Sequence, residues 1–322
     1  MKVQALKAEL ARRWPPERVA GTSMLAAHGI GDRLLTAGVA AGVLVRVRRG
    51  AYVPAELWHG AKPWERNMIA IQAHHLSTGG SSIYSHVSAA RIHKCWVWDC
   101  SPLVHVTTPF NPARGSSGPD VRAYRSPLEP AELVEIPATS GRPVLATSLE
   151  RTVLDCARTL EFERAVIIGD HALRMGADPV HMLEAVTSGR IQRGAHRVRN
   201  VLEALDGASE SPGESRTRIL MVRAGIPAPT PQVEIPTAAG LFRADFAWKR
   251  EKLILEFDGK DKYFDYRPTE LVLFEERQRE TALRELGWEF VRVRWPQLLQ
   301  PYEVERRINL ALERCRQRSV CA

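Results

Sequence analysis

The chain has 322 residues, long enough for two or three domains that each bury a core. Its 45 Lys and Arg against 37 Asp and Glu leave a formal charge of +8, which favours polyanions where the basic residues cluster, as they do at Arg46 to Arg49 and from Arg190 to Arg199. No run reaches the roughly 20 uninterrupted apolar residues of a membrane helix, and the five cysteines form neither a C-x-x-C pair nor an even disulfide framework, so the expectation is a cytoplasmic protein with no membrane contact.

From the start of the chain, Val3 to Arg13 reads as an amphipathic helix, Thr22 as the cap of a short helix through Ala27, and His28 to Gly31 as a tight turn. A third helix, Asp32 to Ala41, leads into Val43 to Val53, which alternates about Gly50 as a β-hairpin. This is the order of a winged helix-turn-helix. On the wing, Arg46, Arg48 and Arg49 would meet phosphates, while Arg33 and Thr36 are the polar side chains able to reach bases in DNA. The third helix is otherwise apolar, so docking to protein instead of DNA stays open. With its Arg-Arg-Gly-x-Tyr ending, this segment resembles the N-terminal domain of AbiEi-family antitoxins.

Further along, Pro63 to Ser77 is predicted as a helix, Leu103 to Thr108 and Val121 to Tyr124 as strands, and residues 111–119 as a loop. Helices are expected at Ser148 to Leu160, Glu161 to Met175 and Gly194 to Leu205. His86 and Ser88 read as the start of a helix rather than a nucleophile pair, and Arg151 with Asp155 as an i,i+4 ion pair. The phrases around Ser85 to Ser88 and Thr147 to Asp155 also look like the central region of AbiEi proteins. That likeness implies an antitoxin or scaffold role and, as partner, a nucleotidyltransferase-like toxin.

The turn-rich stretch Ala208 to Gly213 marks the last boundary. Domains are therefore expected at 1–55, 56–207 and 208–322. Ser211-Pro-Gly-Glu214 carries the pattern of a capping box. Leu241 to Trp248 and Lys252 to Gly259 alternate as two strands joined by Lys249-Arg250-Glu251, a hairpin that brings Asp245 near Glu256. Glu256 and Asp258 share a face. Acids within apolar strands are costly to bury without a cation or proton, and this oxygen-rich set, with the Phe257 carbonyl, suits Mg²⁺ or Mn²⁺ better than zinc. For Glu256 and Asp245 the competing reading is salt bridges to neighbouring Arg; for Asp258 it is a turn beside Gly259. Leu273 to Leu286 is expected as a helix ended by Gly287, followed by a strand from Trp288 to Trp295 in which Arg292 and Arg294 share a face.

Residues 209–300 resemble the PD-(D/E)XK nucleases, in their very-short-patch-repair-like branch, through Ser211 to Ser215, Asp245-Phe246, Glu256 to Gly259, Lys262-Tyr263 and Glu276-Arg277. The resemblance implies that Asp245 and Glu256 hold a divalent ion that polarises a phosphodiester and activates water, that Glu214 can join them, and that Arg277 lies near the scissile phosphate. Asp258 stands where the family's Lys is usual, so the resemblance passes that role to Lys260 or, on its Lys-Tyr pair, Lys262. The expected fold is α/β: an N-terminal winged helix, a central mixed α/β region and a C-terminal three-layer, restriction-endonuclease-like domain. The function this implies is Mg²⁺-dependent hydrolysis of DNA. Its alternative is a non-enzymatic AbiEi-type antitoxin that represses its own operon and keeps a vestigial nuclease fold.

Overall fold

The computed structural model describes residues 3–109, 118–138, 142–259 and 270–321, and the chain is α/β. It divides into two units, Met1–Thr159 and Leu160–Ala322. That division falls inside the stretch 56–207 read from the sequence as one central region. No helix among the described residues is long and apolar enough to cross a membrane.

In the first unit, Leu6 and Leu10 lie one turn apart on α1 (Val3–Arg13) and are buried with Leu25 of α2 (Thr22–Ala27), Ile30 and Leu35 of α3 (Asp32–Ala40). Around them β1 (Ala20–Gly21), β2 (Leu44–Arg48) and β3 (Ala51–Pro54) form an antiparallel sheet in the order β1-β3-β2. Thr22 does not cap α2 as expected. Gly21 is the N-cap, and the Thr22 N–H donates to the Gly50 carbonyl at 3.0 Å, so the backbone takes the role assigned to a hydroxyl. After α4 (Ala55–Gly60), the helix α5 (Pro63–Ser77) has the predicted bounds. Its Ile69 and Ala73 share a core with Ala51 and Val53, so packing runs without a break across position 55.

A mixed sheet follows, ordered β6-β5-β4-β8-β7, from β4 (Ile83–Tyr84), β5 (Val104–Thr108), β6 (Val121–Arg125), β7 (Leu133–Ile136) and β8 (Val144–Thr147), with α6 (His86–Ile92) and α7 (Leu149–Thr159) packed together. Its polar residues are structural. Arg151 meets Asp155 at 3.1 Å, the expected helical pair, and also Glu132 at 2.8 Å. His86 begins α6 with its ring stacked on Tyr124 at 3.5 Å, and burial holds it neutral, well below the usual histidine range. Ser88 turns elsewhere, accepting the His105 N–H at 2.8 Å.

The second unit opens with α8 (Phe162–Arg174), α9 (Pro179–Thr187) and α10 (Ala195–Glu203). Then come α11 (Pro212–Arg223), β9 (Thr230–Thr237), β10 (Gly240–Trp248), β11 (Leu253–Asp258), α12 (Glu270–Glu285), β12 (Glu289–Arg294) and α13 (Pro301–Cys321). The sheet order is β12-β11-β10-β9, antiparallel except that β12 runs parallel to β11 after the α12 crossover. On one face Phe246, Trp248, Leu253, Leu255, Val291 and Val293 pack with residues of α11 and α13. On the other, Val233, Ile235, Ala247 and Ile254 pack with Leu283 of α12. The result is three layers.

Two contacts fix α11. Arg218 Nη2 donates to both carboxylate oxygens of the fully buried Asp170 of α8, at 2.8 and 2.9 Å, and Asp170 also accepts the Asp206 N–H at 2.7 Å. At the other end, Gly213 lies on the ring of Phe257: a Cβ there would stand 1.9 Å from a ring carbon. Gly213→Ala is therefore expected to cost about 1–3 kcal/mol through overpacking, read as a lower urea midpoint. Combined with Phe257→Leu, it should cost less than the sum of the two single changes.

Candidate metal centre

The acids predicted from sequence lie on three elements: Asp245 on β10, Glu256 and Asp258 on β11, and Glu214 in the first turn of α11. The β10–β11 hairpin pairs Phe246 with Leu255, and continuing that register by one residue sets Asp245 opposite Glu256. Instead of a regular ladder step, the Asp245 carboxylate accepts the Phe257 N–H at 2.8 Å. On its other side the β9–β10 pairing skips a step, between Ala244–Val233 and Phe246–Pro231, where Gln232 adopts φ +49°.

Glu214 is 6% exposed and its carboxylate helps to orient the turn. It accepts from the Ser211 hydroxyl at 2.7 Å, the Glu210 N–H at 2.8 Å and the Gln232 amide at 2.9 Å. Ser211 caps the helix through the Glu214 N–H, as the sequence pattern predicts. The reciprocal bond falls one residue earlier than in a standard capping box. Glu214 thus caps the chain and stands over the acid layer at once.

The remaining two acids have cations in hand. Because β11 and β12 are parallel and in register, Glu256 neighbours Arg292 and Asp258 neighbours Arg294. Arg294 Nε lies 3.1 Å from Asp258, whereas Arg292 Nε lies 3.4 Å from Glu256 and its Nη2 reaches Glu280 of α12 at 3.0 Å. Asp245 has no cation partner among the described residues. Burial, then the charge of Glu214, pushes its carboxyl up to about 7; Glu256 and Glu210 add to the rise and the Phe257 N–H opposes it.

Among the described residues, no three Asp, Glu, His or Cys side chains gather closely enough to ligate one ion. The donor chemistry nevertheless fits a hard divalent cation, since it is all oxygen and a bound cation would offset the burial and neighbouring charge that hold the Asp245 carboxyl up at about 7. Asp245 and Glu256, across the hairpin, are the residues that would hold it. Lys260 and Lys262 lie outside the described residues. Arg277 is exposed on α12.

The predicted nucleic-acid residues are distributed unevenly. Arg33 and Thr36 are exposed one turn apart on α3, and Arg46 and Arg49 are exposed on the hairpin. Arg48 is instead held by Asp120. Sequence reading missed that bond, and it also missed Gln232 and the pairing of Arg294 with Asp258; the competing reading of a salt bridge to a neighbouring Arg holds for Glu256, which meets Arg292, and not for Asp245 among the described residues. The Glu-x-Asp and Arg-x-Arg repeats were the available signal, but only the parallel register brings them together.

No family model matches the chain. It is 35% identical over 154 residues to an uncharacterized protein of Mycobacterium tuberculosis strain CDC 1551 / Oshkosh, and equally to one of strain H37Rv. The match covers 47% of this chain and 55% of each relative, so the chain spans about half the length of the curated relatives it matches.

Asp245 gives the fold a pH signature. The folded state keeps its proton up to about 7 while the unfolded chain releases it near 3.8, so this residue removes stability as pH rises from about 4 to 7. Asp245→Asn keeps an acceptor for the Phe257 N–H and abolishes that loss. At roughly 1.4 kcal/mol per pKa unit, its advantage should grow with pH to an upper bound of about 4 kcal/mol above pH 7. Denaturation midpoints of both proteins at pH 5 and pH 8 check this.

Proposed function

We propose that the second unit is a divalent-cation-dependent phosphodiesterase acting on DNA, and that α2, α3 and the β2–β3 hairpin are a winged helix that holds the nucleic acid. The observation that carries the reading is Asp245: a desolvated acid, opposite one carboxylate and raised by another, with no described cation to neutralise it. Structural acids in sheets are normally paired, as Glu256 and Asp258 are here, so an acid left among acids points to a ligand. The order α11-β9-β10-β11-α12-β12 in three layers supports the PD-(D/E)XK resemblance.

When bound, Mg²⁺ or Mn²⁺ would supply Lewis-acid polarisation of the phosphodiester and lower the pKa of water. This chain's residues do the rest. Asp245 and Glu256 orient their oxygens across the hairpin, and the Phe257 N–H fixes one oxygen of Asp245. Glu214 keeps the local potential negative without leaving its cap. Arg33 and Thr36 present polar groups to bases, and Arg46 and Arg49 present charge to phosphates. Lys262 is the proposed cation for the transition-state charge.

Wild-type protein is expected to nick DNA in Mn²⁺ or Mg²⁺, and Asp245→Ala to lose that activity; in calorimetry, Glu256→Gln should weaken Mn²⁺ binding. Cleavage that survives Asp245→Ala would rule the site out. On the DNA side, Arg46→Ala/Arg49→Ala should lower affinity for all sequences and flatten the slope of log K against log salt by about 2. Arg48→Ala should change the slope less, because Asp120 already holds that side chain.

A second reading is favoured by the Arg292–Glu256 and Arg294–Asp258 pairs. In it the acid layer is structural, and the protein is a DNA-binding regulator of the antitoxin type, with a toxin as its partner. DNA binding through Arg46 and Arg49 without Mn²⁺ binding selects it.

A further inference from the structure

We propose that α10 and the loop before it form a second DNA-contacting surface, which grips the phosphate backbone from the same unit that carries the acid layer. The inference takes DNA as the partner from the reading above and adds a surface that the reading leaves unused. Charge is the first observation. Between Glu184 and Glu203 the chain holds Arg190, Arg193, Arg197 and Arg199, all exposed, and no acid. Among the described residues neither Arg190 nor Arg199 pairs with an acid, although Glu203 stands one helical turn from Arg199. Arg197 donates to the Leu160 carbonyl at 2.6 Å, a contact that orients the side chain and supplies no counter-charge.

This run works against its own helix. A surface helix gains from acids in its first turn and from opposite charges at i,i+4. α10 has no acid in its first turn and sets Arg197 there, at the positive end of its dipole, so stability alone does not account for the basic residues. Their chemistry points to phosphate. All four are arginine, whose planar fork meets a phosphate through two parallel N–H bonds, and the exposed Gln192 and Asn200 between them are side chains of the kind that contact nucleic-acid backbones. A membrane-binding surface would set large apolar side chains among its bases, and no exposed residue from Arg190 to Asn200 is apolar.

One side chain ties this surface to the acid layer. Arg218 of α11 donates through Nη1 to the Ala204 carbonyl at the C-terminal end of α10, at 2.7 Å, while its Nη2 holds Asp170 of α8. Since α11 carries Glu214 in its first turn, the helix that would hold the backbone is fixed to the helix that borders the acids.

The test uses the full chain and a labelled DNA duplex without divalent metal, with affinity read across a salt series and folding by thermal melting. Arg190→Ala/Arg199→Ala should melt near the wild-type temperature and flatten the slope of log K against log salt by about 2. Arg190→Lys/Arg199→Lys keeps the charge and should restore most of that slope. Lys249→Ala/Arg250→Ala, which removes the same charge from the exposed β10–β11 turn, should leave the slope at its wild-type value. An unchanged slope in Arg190→Ala/Arg199→Ala, or an equal flattening in the β10–β11 turn variant, overturns the proposal while DNA binding by the protein stands. Weaker binding of Arg190→Ala/Arg199→Ala to phosphatidylserine vesicles, with its DNA affinity unchanged, assigns the surface to a membrane and overturns it as well. Should wild type itself fail to bind duplex DNA, the DNA reading falls and takes this inference with it.

Discussion

The first turn of α11 rests directly on the ring of Phe257, and that close approach sets the geometry of everything around the acid layer. Only glycine fits at 213. With the helix seated there, Glu214 can cap the turn and still face β9 and β10, and Phe257 can offer its N–H to Asp245. Trp295 meets the same ring in an edge-to-face contact at 5.1 Å. The Arg218–Asp170 pair fixes the same helix further along. Position and charge are thus settled by different means: packing places the carboxylates, and their partners decide which keep an uncancelled charge.

Those partners divide the sheet electrically. Its β12 side is balanced, with acid and guanidinium in register on neighbouring strands. At β10 the balance stops, and a carboxyl near neutrality marks the place. A protein selected for stability alone gains by converting Asp245 to a neutral or apolar residue. Keeping it costs stability wherever the carboxyl ionises, which is the usual relation between a functional site and its scaffold.

Much of this was legible in the residues. Alternation about Asp245 and Glu256 fixed the hairpin, the Ser-Pro-Gly-Glu run located the start of α11, and Gly287 ended α12. Elements too short or too interrupted to show a period escaped: β4 has two residues, β7 and β8 four each, and β9 is interrupted by Pro231 and Pro236. α9 was missed although Asp178-Pro179 is an N-terminal signature, with the Asp178 carboxylate accepting the Val180 N–H. The site was legible as far as single strands carry it. Beyond the hairpin, the pairing with β12 was not, because Arg292 reaches Glu256 only through a parallel register that the α12 crossover imposes.

The prolines of β9 have one more effect. An outermost strand offers unpaired backbone groups to any other chain that approaches, and proteins must blunt such rims to stay apart. Prolines at 231 and 236 withhold amide hydrogens from this strand, and the exposed Glu234 between them adds repulsion. The sheet therefore ends at β9 by chemistry as well as by sequence order, and the acid layer, which begins on the adjacent strand β10, is shielded from being zipped into a neighbouring molecule.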